Sequence, residues 1–484
     1  MKKLLIIMLA VHVITSCSDE IDLAPISDPS AANFYRNASD MEAAVAGAYD
    51  ALQTIGQYAH SYPFLMEVRS DNSYEPDIGG SGGIFYRIDV FDLNPGNSVL
   101  ENAWRDGYAG IQRANIVLNR IDAIEDMTAA TKSIRTGEMK FLRALTYFNL
   151  VRIFGDVPLV LEEITDPNAS FAAGRTASTQ IYSQIVQDLT DAVAALPATQ
   201  SETGRATQGA ANTLLGKVHL TFGNTSEAIT ALRAVSGYSL ETNYSDVFGV
   251  TNENNGESIF EVQFTAGSGS AIEANGLGNG EGEGSPFPNL FAPVGGSNLI
   301  GGGQTLSNNA ATQELFDSYD VTDARRDVNI GNFSGALYPA KLLGTAVGDL
   351  DSDVNSIVLR YADVVLMLAE ALNDQGYVAN GEAFGLINQV RNRAGLADLT
   401  SATVTDQAAF ALAVENERRW ELAFENHRWL DLVRTGRAET VMNAHGAVQA
   451  APNNFSMSAH QLIYPVPQRE IDTNPDVIGQ NTGY

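Results

Sequence analysis

Glu417-Arg418-Arg419-Trp420-Glu421-Leu422-Ala423-Phe424-Glu425-Asn426-His427-Arg428-Trp429-Leu430-Asp431-Leu432-Val433-Arg434-Thr435-Gly436-Arg437 is the densest patterned stretch of the chain, and its period is helical. Aromatics and alternating charges read as sharing one long helix. Trp420 and Phe424 are four apart and fall on one face, as do Glu425 with Arg428 and Asp431 with Arg434. The spacing predicts a scaffold helix whose tryptophans face inward, whose arginines pair locally and which Gly436 ends. A ligand role for Trp420 or Trp429 is the lesser reading.

The same period recurs on either side. Apolar residues return at three and four spacing in Met41 to Leu52, Ala103 to Ile124, Glu138 to Phe154, Ile181 to Leu196, Ala210 to Phe222, Ile357 to Leu372, Ala383 to Ala394 and Phe410 to Val433. The chain therefore reads as mainly α. Two segments look alike: Leu214 to Leu220 with Gly223-Asn224 and Glu227-Ala228-Ile229, and Leu366 to Leu372 with Gly376-Tyr377 and Glu382-Ala383-Phe384. Each reads as helix, tight turn, helix, with small residues letting the pair approach closely, which is tetratricopeptide logic. Two unrelated helical hairpins are the alternative.

Two stretches break the period. Ser70 to Asn97 carries Tyr74, Phe85, Tyr86 and Phe91 among glycines, and Ala266 to Asn309 holds glycine-rich runs around Pro286-Phe287-Pro288-Asn289-Leu290-Phe291. Loops this long are usually either functional or disordered. Strand-like pieces at Ile259 to Phe264 and Ile463 to Val466 add a minor β component.

The first residues read as an export leader. Lys2 and Lys3 precede an apolar run, Leu4 to Ile14, too short to span a bilayer, and Ile14-Thr15-Ser16-Cys17 is similar to a lipobox. Residues 1–16 are read as a lipoprotein signal peptide, Cys17 as the lipidation site, 17–32 as a polar tether and 33–484 as one α domain. Ser18-Asp19-Glu20 is similar to the acidic tag of lipoproteins sent to the outer face of an outer membrane. Cys17 is the only cysteine, so an internal disulfide is excluded and stability must come from a core.

Without the leader's two lysines, 27 basic side chains face 58 acidic ones, a net charge of about −31 with no long basic run. Nucleic acid is a poor partner for such a chain, and sulfated or uronic ligands are disfavoured. Catalytic signatures are weak. Gly79-Gly80-Ser81-Gly82-Gly83 matches a nucleophile elbow in form but lacks the flanking strand and helix. Asp349, Asp351 and Asp353 have the spacing that opens a calcium loop, yet Val354 and Arg360 stand where glycine and glutamate are required, so a solvated acidic turn is expected. No cofactor and no metal site is expected.

The motifs in order resemble the SusD/RagB family of outer-membrane nutrient-binding lipoproteins. They run from Phe34-Tyr35, Tyr49 and Ser70-Asp71 through Trp104, Tyr108 and Asn115 to Glu138 to Ala144 and Phe154 to Leu159. Arg360-Tyr361-Ala362-Asp363, Ala369 to Asn373, Asn388 to Gly395, the Glu417 stretch and Tyr464-Pro465-Val466-Pro467 follow. The tail Gln480-Asn481-Thr482-Gly483-Tyr484 departs only at Thr482 from the family's usual ending. The resemblance implies a helical fold on tetratricopeptide-like pairs that binds rather than catalyses. It also implies an outer-membrane position, a SusC-like TonB-dependent barrel as partner, and an oligosaccharide as ligand. A peptide ligand is the alternative within the family, and a lipid-anchored glycan hydrolase the rival outside it.

Family motifs do not place the ligand, so the site residues rest on chemistry. Sugars stack C–H faces on aromatic rings while polar neighbours bind hydroxyls. The expected site is Asn72, Tyr74, Phe85, Tyr86 and Arg87 from the first irregular stretch and Phe287, Asn289 and Phe291 from the second. Trp104, Trp420 and Trp429 all sit in scaffold-like motifs, which leaves a non-glycan ligand open.

Overall fold

The computed structural model describes residues 34–166, 173–273 and 278–484. The leader, Cys17 and the tether lie outside the described residues. Helices dominate, and several are opened by a polar cap. α1 spans Ala38–Asp50, with the Asn37 side chain accepting from Asp40 N–H. α2 spans Ser98–Arg120, capped by Asn97, and α3 spans Ala129–Phe154, capped by Thr128. α4 spans Ser178–Ala195, α5 Gln208–Thr221 and α6 Thr225–Arg233. After a long irregular region come α7, Tyr361–Gln375, α8, Glu382–Arg393, and α9, Gln407–Glu421, which Asp406 caps. A cap of this kind satisfies an amide that the first turn leaves unpaired.

Successive helices pack side by side from α1 through α7, and α7 then packs on both α8 and α9. From Gly137 onward α3 is buried on nearly every face, so it forms the centre of the array. The two look-alike segments form the α5–α6 and α7–α8 pairs. A Cβ on Gly216 would sit 2.6 Å from Leu232 Cγ, so the missing side chain sets how closely α5 and α6 approach. Ala369 is fully buried in α7 at the matching place. One core cluster runs from Met41 to Ile478, with smaller clusters beside it.

The helix read over Glu417 to Arg437 is two helices. α9 stops at Glu421, Phe424 and Asn426 take φ of 65° and 66°, and a second helix, Arg428–Arg434, starts afresh. The charges of the stretch also pair mainly across the molecule. Arg360 reaches Glu257, Glu421 and Glu425 at 2.7, 2.6 and 2.6 Å. Arg325 binds Asp323 and Glu417, Arg391 binds Glu417, Lys341 binds Glu425, and Arg418 joins Asp363 to Asp431. Trp429, in the second helix, is 0 % exposed. Asp431–Arg434 is the pair that forms as expected, at 2.9 Å.

Ile357 to Arg360 lies in a strand, Ser356–Arg360, that pairs antiparallel with Ser258–Val262 before α7 begins. Ile463 to Val466 pairs in no ladder. Tyr464 N–H bonds Ile153 O, and Gln480 closes both backbone groups of Val466, so the tail is fastened by side chains. Asp349 and Asp353 are exposed, as a solvated turn requires, while Asp351 is buried, and all three accept from backbone amides. Asp349 accepts from Gln304 N–H, Asp351 from Gly267 N–H and Asp353 from Ala266 N–H, fastening the ends of the second irregular stretch.

Candidate functional site

The first irregular stretch is anchored before it becomes irregular. Ser73–Tyr74 forms a short ladder with Ala310–Ala311, in which Tyr74 faces Ala310. Behind it the Arg428 guanidinium grips Asp71 with two bonds, at 2.7 and 2.9 Å, and Arg419 donates to Asn72 Oδ1 at 2.8 Å. The two cations hold the Asp71 carboxyl well below the usual range against the opposing effect of burial. Glu75 and Asp89 lie beneath the strand, and burial pushes each up to about 7. Asn308 donates to Glu75 Oε2 and Glu75 N–H bonds Asp89 Oδ2, so both carboxyls tie loops together.

On the outside, an open groove of about 360 Å³ runs past Tyr74, Thr312, Gln313, Glu314, Gln449 and Asn453. Tyr74 is half-buried, leaving part of its ring to the groove. Asn453 Oδ1 has no protein hydrogen-bond partner among the described residues. Tyr86 donates its hydroxyl to Pro452 O at 2.8 Å and so pins the loop that carries Asn453. His445, buried and outside the groove's lining, meets Glu314 at 2.8 Å. An aromatic face bordered by amides and one carboxylate can stack on a sugar ring and bind its hydroxyls. No lysine or arginine lines this groove.

Of the residues expected in the site, Tyr74, Tyr86 and Arg87 are at the surface, and Arg87 pairs with Asp92 at 2.6 Å. The exposure expected of the other five is corrected. Phe85 stacks on Phe64 at 4.6 Å, Phe64 meets Phe291 at 5.9 Å and Phe291 stacks on Phe287 at 5.4 Å. These rings form an internal row joining the two irregular stretches, and Phe85, Phe287 and Phe291 are buried. Asn72 and Asn289 are 0 % exposed, Asn289 bridging Gln304 O and Leu350 N–H. Loops this long fold back on the body and bury their apolar rings. Glu314, Gln449 and Asn453 were not foreseen; they come from helix ends and a loop whose only sequence signal is polarity.

Comparison with known proteins bears on the family and the fold. The model of the SusD family matches residues 345–484, and a second, described as "Starch-binding associating with outer membrane", matches residues 34–220. SusD-like protein P25 of Formosa agariphila is 30% identical, with 97% of each chain covered. The chain belongs to the SusD family. This SusD family member is also 24% identical to the starch-binding protein SusD of Bacteroides thetaiotaomicron, over 97% of the chain and 96% of that protein. Among solved structures, a laminarin-binding SusD-like protein superposes with a TM-score of 0.79 at 30% identity, covering 93% of this chain and all of the other. The mainly helical SusD-like fold expected from the sequence is thus the fold observed.

Among the described residues no three His, Cys, Asp or Glu side chains gather as a metal site, and no described helix is long and apolar enough to cross a membrane.

Proposed function

We propose that this SusD family member is a surface lipoprotein, anchored through Cys17 in the outer membrane, that captures a neutral oligosaccharide and passes it to a SusC-like TonB-dependent barrel. The observation that carries the reading is the groove at Tyr74, where a ring face lies beside Asn453, Gln449 and Gln313 with no cation among its lining. Similarity to proteins named for binding laminarin and starch supports a glucan as the first ligand to test. Within the site, Tyr74 supplies the stacking face, the Gln313, Gln449 and Asn453 amides line the groove beside it, and Tyr86 positions the loop that holds Asn453. The chain holds its ligand without cleaving it, and the lipid keeps it beside the barrel at high local concentration.

Calorimetry against laminari-oligosaccharides, malto-oligosaccharides and a peptide panel, followed by product analysis, tests this. Saturable glycan binding without product is expected. Tyr74→Ala and Asn453→Ala should each weaken it about tenfold, equivalent to ~1.4 kcal/mol, with unchanged thermal unfolding. Binding of peptide alone, steady release of sugar, or full affinity in both variants would sink the reading.

A further inference from the structure

A second cleft, unconnected with the groove at Tyr74, runs inward from the Val247–Gly249 loop and Glu253 to the foot of the Ser61–Glu67 helix. Its inner space is about 50 Å³, room for a small ion and a few waters and too little for a sugar ring. Phe248, Phe287, Phe291 and Phe424 form much of the wall.

The inner end is lined by oxygens without protein partners. Glu67 is 1% exposed and accepts from Asn426 N–H through Oε1, while its Oε2 has no hydrogen-bond partner among the described residues. Asn309, also 1% exposed, and Asn426 both line this cleft, and the side-chain oxygen of each is buried and equally unpartnered. Asn309, Phe424 and Asn426 all take left-handed backbone conformations, φ of 64°, 65° and 66°. Buried oxygen acceptors normally find donors, because leaving one bare costs about 1–3 kcal/mol. Three around one cleft call for a common donor or positive charge.

Charge favours a positive one. Glu253 and Glu261 also line the cleft, and Lys341, the cation that lines it, is already engaged with Glu425 at 2.6 Å. Glu261 and Glu425 are engaged through both oxygens and Glu253 accepts from Asn355 N–H, so Glu67 is the lining carboxylate with a buried bare oxygen. One such oxygen beside neutral amide oxygens suits a singly charged ion rather than a divalent one, which gathers several carboxylates. Aromatic walls add attraction for a cation. We propose that this cleft is a binding site for a monovalent cation of potassium or ammonium size, held by Glu67 Oε2 and the side-chain oxygens of Asn309 and Asn426. Burial pushes the Glu67 carboxyl up to about 8, and a cation against Oε2 offsets that cost. The ion bridges the Ser61–Glu67 helix to the Leu422–His427 turn, steadying the segment that aims Glu421 and Glu425 at Arg360.

Crystals of the full chain prepared in tetramethylammonium buffer and soaked in Rb+ test the site directly. An anomalous peak beside Glu67 Oε2 is expected; water alone there overturns the proposal. In solution, wild-type Tm should rise saturably when Rb+, K+ or NH4+ replaces tetramethylammonium at constant ionic strength, and Glu67→Gln should lose that rise. A response to K+ but not NH4+, or the reverse, identifies the resident ion. An equal rise in Glu67→Gln, or an infrared carboxylic-acid band of Glu67 that persists in Rb+ at pH 7, overturns it.

Discussion

Phe85, Phe64, Phe291 and Phe287 each touch the next, so truncating one opens a void that the rest cannot close. Phe291→Ala should cost about 3–5 kcal/mol in urea denaturation and leave glycan affinity of the folded fraction unchanged. Had the ring been in the site, stability would hold and affinity would fall. Glu75 provides a second test at this scale. Burial raises its folded carboxyl to about 7, above its ordinary value of 4.5, so between those values the folded chain holds a proton that the unfolded chain has lost. Its contribution is therefore full below the unfolded value and lost as pH climbs through 7. Relative to Glu75→Gln, which cannot ionise, the wild type should lose about 2–3 kcal/mol between pH 5 and pH 8, read from denaturation midpoints. A flat difference would mean that the carboxyl is ionised throughout. Neither residue's role was visible in its own identity, because burial depends on which element folds over it.

Helix pairs are where the pattern in the chain and the packing agree most closely. Gly216 lies against Leu232 and Gly385 in α8 has nothing within 4 Å of a built Cβ, so the same change should act with opposite signs. Gly216→Ala should destabilise by about 1–3 kcal/mol through overpacking, and Gly385→Ala should stabilise by about 0.5–1 kcal/mol, both measured by denaturant unfolding. Equal effects would show that the close approach of α5 and α6 is not sterically set. Arg360 stands where the Ser356–Arg360 strand meets α7, and its three carboxylates come from a strand edge, α9 and the turn after it. Arg360→Met should cost about 3–5 kcal/mol, since it strands buried negative charge. The broken helix after Glu421 belongs to this network. Its period was legible as helical, but the break was not: Phe424 and Asn426 turn left-handed, and Glu425 between them meets Arg360, 65 positions earlier in the chain.

Over the whole molecule the net charge is −29, and the groove at Tyr74 contains Glu314 and no basic residue. A uronic or sulfated oligosaccharide should therefore bind more weakly than its neutral counterpart, and added salt should narrow the gap by screening repulsion. Titrations of matched neutral and anionic glycans at two ionic strengths check this. An anionic ligand that binds more tightly at low salt would move the site to a different surface.

From the sequence alone came the helical class, the paired hairpins, the family and the expectation of a lipid-held binder, because helix period, small residues at crossings and ordered motifs are local properties of the chain. Tertiary structure alone decided which aromatics meet solvent. Phe287 and Phe291 differ from Tyr74 in nothing that spacing records, yet two are buried and one borders the groove. It also decided that the charges of the Glu417 stretch pair across the molecule, since a guanidinium in the core takes the carboxylates that folding brings to it, whatever their distance along the chain.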